Sequence, residues 1–238
     1  MKELVTAFAA CAIAGAVMAA DSNIVGYVST VGNDNGATLL APMFIECGGV
    51  NAKLGMITGE FDEYLDTVQI LDDTLAMAVE YVWVDVTYDP LGLTSPVWSS
   101  DYTTDDSDVV IPRGVGVVVS KSTAIIQYAG EVEAGGVSIA CDPGATVLGN
   151  PTPVTITLGQ IGFTDLEEYT DTIQLLDSTL AMATEYVWVD VTYDPLGLTP
   201  PVWSSDYTAD DSGVELAPGV GFVLSSMNGS TVTFPAAL

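Results

Sequence analysis

Aromatic and acidic side chains alternate with valines along one short stretch of the chain, and they are its first candidates for chemistry. The stretch covers residues 80–94 and returns without a change at residues 185–199. Side chains of a strand point alternately to its two faces, so Tyr81, Trp83 and Asp85 should share one face. Flat rings can cover the apolar face of a sugar while a carboxylate accepts from its hydroxyl groups. The face therefore suits a carbohydrate platform, or a surface covered by a loop, by the other half or by a neighbouring molecule.

A second predicted strand should return beside this one after a turn at residues 89–92, where Pro and Gly occur. Pairing of the two strands would set Trp83 opposite Trp98 as a cross-strand couple, extended by Tyr81 and Tyr102. The candidate ligand-binding set from both copies is Tyr81, Trp83, Asp85, Trp98, Tyr102, Tyr186, Trp188, Asp190, Trp203 and Tyr207.

Two acidic loops, residues 101–108 and 206–211, are candidates for Ca²⁺ binding. Carboxylate and carbonyl oxygens are the ligands that Ca²⁺ takes, although these loops do not match the EF-hand spacing. The alternative is a solvated acidic loop. The candidate metal ligands are Asp101, Asp105, Asp106, Asp108, Asp206, Asp210 and Asp211.

The composition excludes several kinds of active site. The chain has no histidine, so Ser-His-Asp and Cys-His catalysis and His-ligated metal sites are ruled out. No phosphate-binding loop of the GxxxxGK[ST] type occurs. A glycosidase needs only two carboxylates, and the candidates by position are Asp85, Asp89, Asp101, Asp190, Asp194 and Asp206. In a chain with 32 acidic residues, carboxylate pairs also arise by chance, so we predict a non-enzymatic protein.

Residues 1–20 resemble a secretory signal peptide, with Lys2 before an apolar run and small residues at the end. No later segment is apolar enough for a transmembrane helix. We therefore expect an exported protein that is extracellular, at the cell surface or periplasmic. Its formal net charge of -28 argues against DNA, RNA and anionic lipid as partners. The charge either keeps the protein soluble or serves dedicated cation sites.

Two cysteines, Cys47 and Cys141, follow the signal segment. An oxidising compartment permits a disulfide between them. If residues 38–45 and 146–148 lie antiparallel across a pseudo-twofold axis, the two sulfurs could meet. Two free buried thiols are the alternative.

Short apolar runs separated by Gly, Asp and Pro turns predict an all-β fold. We expect two tandem homologous domains, each a β-sandwich or barrel, over residues 21–129 and 130–238. The second copy is placed at residue 130 because residues 130–132 echo residues 26–28. No Pro-, Ser- or Gly-rich linker separates the halves, so they should share sheet edges or pack closely.

Several short motifs recur along the chain after the signal segment. They are Gly26-Tyr-Val28, Leu39-Leu-Ala-Pro42, Trp83, Trp98, Gly114-Val-Gly116, Gly130-Glu-Val132, Leu148-Gly-Asn-Pro151, Trp188, Trp203 and Pro218-Gly-Val-Gly221. Together they resemble the motifs of secreted, duplicated β-domain proteins of Verrucomicrobia-type bacteria. The resemblance covers nearly the whole chain after the signal segment, and it implies export and a β fold without assigning a catalytic residue.

From these observations we predict an exported structural or interaction protein of the cell envelope or extracellular space. Its partners would be further copies of itself or envelope components, polysaccharide included, and its assembly would depend on salt or Ca²⁺. The alternatives are a carbohydrate-binding protein that uses the Trp and Tyr faces and, third, a glycoside hydrolase.

Overall fold

A computed structural model shows that the chain is all-β, as predicted. It describes residues 25–31, 36–71, 77–87, 94–121, 125–133, 135–176, 182–192 and 199–236, so the predicted signal segment lies outside the described residues. Within these ranges every strand pairing is antiparallel and no sheet closes into a barrel. The described helical structure consists of two short 3-10 turns, at Leu54–Met56 and Leu158–Gln160.

The described residues of the first half form ten strands. They are β1 (Val25–Val31), β2 (Gly36–Leu40), β3 (Ala52–Lys53), β4 (Ile57–Gly59), β5 (Thr67–Leu71), β6 (Met77–Val84), β7 (Val97–Ser99), β8 (Val110–Ile111), β9 (Val117–Lys121) and β10 (Ile125–Glu131).

The second half repeats this series. Its strands are β11 (Val137–Cys141), β12 (Gly144–Gly149), β13 (Ile156–Thr157), β14 (Gly162–Phe163), β15 (Thr172–Leu176), β16 (Met182–Val189), β17 (Val202–Ser204), β18 (Glu215–Leu216), β19 (Gly221–Ser226) and β20 (Ser230–Phe234).

The two halves have the same strand order. A five-stranded sheet runs β2-β9-β5-β6-β7 in the first half and β12-β19-β15-β16-β17 in the second. Smaller sheets, β1-β10-β4 and β11-β20-β14, lie beside them, and β3-β8 and β13-β18 form two-stranded ribbons. Residue 130, where we placed the start of the second copy, lies in β10 and pairs with Gly26 of β1.

Each half has its own apolar core. In the first half Trp98 is fully buried, and its indole N–H donates to the carbonyl oxygen of Ile57 at 3.0 Å. This bond satisfies the one polar group of a large side chain that otherwise contributes apolar area to the core. Trp203 is buried at the equivalent place in the second half.

The halves contact each other through reciprocal backbone hydrogen bonds. The amide of Ala41 donates to the carbonyl oxygen of Gly219 at 2.9 Å, and the amide of Gly149 donates to that of Gly114 at 3.0 Å. Isolated bridges join Leu40 to Val220 and Val115 to Leu148 in the same reciprocal way, as expected for a pseudo-twofold relation. A small apolar cluster between the halves consists of Leu39, Val118, Val147 and Val223. The expectation that the halves pack closely is confirmed.

The two halves come close together at Gly149. A Cβ atom there would lie 2.6 Å from the Cβ of Ala41 in the other half and 2.8 Å from the carbonyl oxygen of Val220 in its own half. Only glycine fits this approach without a shift of backbone.

Cys47 and Cys141 are free thiols, so of the two alternatives left open by the sequence the structure has the unbonded one. The end of β2 meets the end of β12, at Ala41 and Gly149, rather than its start. Cys47 is exposed beside Gly48, whose amide donates to the Glu131 carboxylate. Cys141 is buried, and it lines a cavity to which Cys47 does not contribute. Both thiols are free, but only that of Cys141 is buried.

Arg113 fixes the connection between the halves. Its buried guanidinium donates to the Glu133 carboxylate at 3.0 Å and to the carbonyl oxygens of Glu133 and Gly135. Burial lowers the pKa of Arg113, whereas the nearby Glu133 carboxylate opposes that shift. Pro218 occupies the corresponding position of the second half.

We predict that Tyr128→Phe raises the free energy of unfolding by about 1 kcal/mol. The Tyr128 hydroxyl is buried without a hydrogen-bond partner among the described residues, and burial raises its pKa. The equivalent residue at the end of β20 is Phe234, so Phe234→Tyr is the matched reverse change and should destabilise. Urea unfolding of both variants measures the effect. A loss of stability in Tyr128→Phe would show that the hydroxyl has a partner.

Candidate functional site

The predicted cross-strand couple of tryptophans is confirmed. Trp83 of β6 lies directly opposite Trp98 of β7, and their ring centroids are 5.0 Å apart. Phe61, from the connection between β4 and β5, packs over both rings at centroid distances of 5.6 and 4.8 Å. Trp98 and Tyr81 are consequently buried, and Trp83 is half-buried.

The second half repeats this covered arrangement. Trp188 and Trp203 pair across β16 and β17 with centroids 5.2 Å apart, and Phe163 packs edge-on against Trp203. Trp203 and Tyr186 are buried. In both halves burial raises the pKa of the tyrosine, Tyr81 or Tyr186. The buried rings, with Trp83 and Trp188 half-buried, favour the alternative of a face covered by other parts of the chain over an open sugar platform at these residues.

Tyr102 and Tyr207 do not extend the tryptophan faces. The strands before them end at Ser99 and Ser204, and both tyrosines stand outside the sheet with 53% of their surface exposed. Two further tyrosines that the sequence analysis did not select, Tyr64 and Tyr169, are each 54% exposed. The Tyr64 and Tyr102 rings are nearly parallel, at 10°, with centroids 6.5 Å apart.

These four tyrosines share an unusual backbone conformation. Their φ angles are 63° (Tyr64), 65° (Tyr102), 61° (Tyr169) and 65° (Tyr207). The left-handed region is unfavourable for bulky L-residues, and such strain persists only where the surrounding structure enforces it. We call Tyr64 with Tyr102 the first tyrosine surface, and Tyr169 with Tyr207 the second.

A buried carboxylate and a strand carbonyl hold the Tyr64 loop. The amide of Tyr64 donates to the carbonyl oxygen of Trp83 at 2.9 Å. The side chain of Asp66, at the start of β5, accepts from the amide of Asp62 at 2.7 Å. In the second half the amide of Tyr169 donates to Trp188, and buried Asp171 accepts from the amides of Glu167 and Met227. No sequence motif singles out Asp66 or Asp171 among the many acidic residues.

The predicted Ca²⁺ loop of the first half is held together by hydrogen bonds of its own. Asp101 accepts from the amides of Thr103 and Thr104, both at 2.8 Å. These bonds lower the pKa of Asp101. Asp106 accepts from the amide and the hydroxyl of Ser100, and the amide of Asp106 donates to the carbonyl oxygen of Trp98. The loop thus folds back on β7 and orients Tyr102.

The second acidic loop has the same construction. Asp206 accepts from the amides of Thr208 and Ala209, and these bonds lower its pKa. Asp211 accepts from the amide and the hydroxyl of Ser205. Hydrogen bonds from Ser212 lower the pKa of Asp210.

The candidate Ca²⁺ ligands are not brought together around one point. In the part of the chain that the structure describes, no group of three or more Asp, Glu or Cys side chains could hold a metal ion. The carboxylate of Asp105 accepts from the amide of Ser107. Asp108 instead pairs with Lys53 at 2.9 Å, and the hydrogen bonds that Lys53 donates to Asp108 and Glu46 raise the pKa of Lys53 to about 12. The predicted calcium site is not found at these residues.

Asp85 and Asp190 cap the turns that follow β6 and β16. Asp85 accepts from the amide and hydroxyl of Thr87 and from the hydroxyl of Thr94. Asp190 accepts from the amide and hydroxyl of Thr192. Because their carboxylates accept from residues of the turns, both aspartates stabilise these turns. The remaining hydrolase candidates outside the acidic loops, Asp89 and Asp194, lie outside the described residues.

Small open cavities lie elsewhere on the protein. One of about 400 Å³ is lined by Cys47, Lys53 and Met56, one of about 340 Å³ by Arg113 and Ser138, and one of about 180 Å³ by Cys141. Of the site residues predicted from the sequence, these cavities contain Cys47, Cys141 and Asp108. The exposed tyrosines therefore lie apart from them.

The chain matches no family model, no curated protein and no solved structure. Among the described residues, no helix is long and apolar enough to cross a membrane.

We predict that CaCl₂ stabilises the protein no more than NaCl at the same ionic strength. Both salts should raise the melting temperature, because screening weakens repulsion in a chain of net charge -28. The hydrogen bonds within the loops leave no converging set of carboxylates for one ion among the described residues. Differential scanning calorimetry in matched salt series measures the effect. A larger rise with CaCl₂ would contradict it.

We predict that the stabilising effect of the Asp101 and Asp206 carboxylates disappears in acid. Both pKa values are lowered in the folded protein, so these groups add stability above their ordinary pKa of 3.8 and lose it as pH falls through the lowered values. The variant Asp101→Asn with Asp206→Asn should be less stable than the wild type at pH 7, and the difference should shrink below pH 3.8. Urea unfolding at both pH values measures it, and an equal difference at both would refute the assignment.

Proposed function

We propose that this is an exported, non-enzymatic interaction protein of the cell envelope or extracellular space. It presents two contact surfaces at matching places in the two halves, the first and second tyrosine surfaces, of which the first has its two rings stacked. The observation that carries the proposal is that four bulky residues are both exposed and held at positive φ, at matching places in the two halves. The resemblance to secreted, duplicated β-domain proteins supports export.

Strain and exposure together favour a role in binding over a role in packing. A left-handed backbone costs an ordinary L-residue about 1 kcal/mol or more, and Asn or Gly would avoid most of this cost. An exposed ring gains little from burial in return. Tyrosine is frequent at contact surfaces because it combines a flat apolar ring with a hydroxyl group.

Carbohydrate binding is the second candidate function. It would take place at the tyrosine surfaces and not at the tryptophan faces. The nearly parallel Tyr64 and Tyr102 rings favour it, because flat exposed rings can stack on sugars. The covered tryptophans give it no support.

We predict that replacing all four tyrosines by Asn leaves the melting temperature equal to or above that of the wild type. Asn tolerates the left-handed conformation, so strain relief offsets the lost ring contact. The matched control replaces the same residues by Ala, which removes the rings but keeps the backbone strain, and it should melt below the Asn variant. Calorimetry compares the three proteins. A strong destabilisation by Asn would mean that the tyrosines serve the fold.

The same Asn variant tests the function. Surface plasmon resonance would measure binding of the immobilised protein to peptidoglycan fragments, to chitin and cellulose oligomers, to a lysine oligomer and to the protein itself. We expect at least one ligand to bind the wild type, to bind more weakly to a protein altered at one tyrosine surface, and to be lost when both are altered. Two surfaces on one chain add avidity for a polymeric ligand. Binding that the Asn variant retains in full would refute the proposal.

A further inference from the structure

The charges around the tyrosine surfaces indicate what kind of partner they fit. Exposed acidic residues adjoin the tyrosines in the chain on both surfaces. On the first surface they are Asp62, Glu63, Asp101 and Asp105, and on the second they are Glu167, Glu168, Asp206 and Asp210.

The chain offers almost no positive charge of its own to balance these carboxylates. Lys53 is paired with Glu46 and Asp108, both at 2.9 Å, and Arg113 is paired with Glu133 at 3.0 Å. From residue 122 to residue 238 the sequence contains no Lys or Arg at all. A second copy of this protein would therefore bring like charge to either surface, which costs free energy at ordinary salt concentrations.

We propose that each tyrosine surface binds a segment of a basic polypeptide, with Lys or Arg side chains stacked on the exposed rings. This inference rests on the proposed function and names its partner class. A cation over the face of a tyrosine is attracted by the ring, and the neighbouring carboxylates add charge attraction. An uncharged glycan would use the rings and could donate hydroxyl hydrogen bonds to some carboxylates, but it would bring no positive charge to offset the excess of negative charge here.

The strained backbone conformation of the tyrosines fits this partner. Loops held by Asp66 and Asp101 keep the Tyr64 and Tyr102 rings exposed before any partner arrives. A surface that is already ordered loses less conformational entropy when a flexible basic segment binds. Charge attraction alone would require no rings in fixed positions, so the tyrosines distinguish this proposal from nonspecific binding of a polycation.

The experiment is isothermal titration calorimetry of the full chain with a short lysine oligomer in about 0.15 M NaCl. Tyr64→Asn with Tyr102→Asn alters the first surface, and Tyr169→Asn with Tyr207→Asn alters the second. Each change leaves the net charge unaltered. The matched control, Val50→Asn with Val110→Asn, replaces two other exposed apolar side chains. Cellohexaose and chitohexaose are the uncharged probes.

We expect altering both surfaces to weaken oligomer binding by about fivefold to thirtyfold, the effect of losing two exposed cation–π contacts at each surface. Altering one surface should halve the number of tight sites, and the control should bind as the wild type does. The slope of log affinity against log salt should not change, because no charge has been removed.

Three results would overturn the inference, and they differ in what they say of the proposed function. Oligomer binding that is unaffected by the Asn changes would be nonspecific charge attraction. Binding of the uncharged hexasaccharides that the Asn changes abolish, without an effect on the oligomer, would keep the tyrosine surfaces but make the partner a glycan. Tyrosine-dependent self-association without oligomer binding would keep them for a second copy.

Discussion

The shortage of cations decides how this protein uses its carboxylates. With 32 acidic and four basic residues, most Asp and Glu side chains have no Lys or Arg to pair with, so they accept from backbone amides and from Ser and Thr hydroxyls. Asp101, Asp106 and Asp85 each do so. Hydrogen bonds to a charged acceptor are stronger than neutral ones, so a single carboxylate can fix a whole turn. The acidic loops are therefore structural elements of the fold.

This use of carboxylates explains how four tyrosines remain in a strained conformation. The hydrogen bonds accepted by Asp101 fix the backbone after Tyr102, and the bond from the Asp106 amide to Trp98 holds this loop against β7. Asp66 fixes the loop of Tyr64. The favourable hydrogen bonds of each loop outweigh the cost of one left-handed residue. Asp101, which orders one of these loops, also lies exposed next to Tyr102 in the chain, so its carboxylate both stabilises the loop and adds to the negative charge of the surface.

The sequence predicts the sheets well and the loops poorly, for a physical reason. The pairing of Trp83 with Trp98 follows from a local period of two, and the structure confirms it. The strand itself ends at Val84, so Asp85, expected on the same face as Tyr81 and Trp83, lies beyond it in a turn. The same periodicity wrongly predicts that strand β7 continues through Ser100 to Tyr102. The strand ends at Ser99, because the Ser100 amide donates to the Asp106 carboxylate instead of to a neighbouring strand. Phe61, which covers the tryptophans, lies in a stretch where apolar and polar residues follow no regular spacing. Which of many carboxylates caps which amide depends on tertiary contacts that no local pattern contains.

Differences between the halves help to separate packing from function. At buried positions outside the long repeat the halves vary, as with Val117 and Phe222, so the cores tolerate substitution where volume can be redistributed. Tyr102 and Tyr207 are exposed, yet they match, and so do the aspartates that cap their loops. Packing places no such demand on an exposed ring. Under the proposed function, contact with a partner at both tyrosine surfaces requires this match, and the reciprocal contact between the halves holds the two surfaces in one molecule.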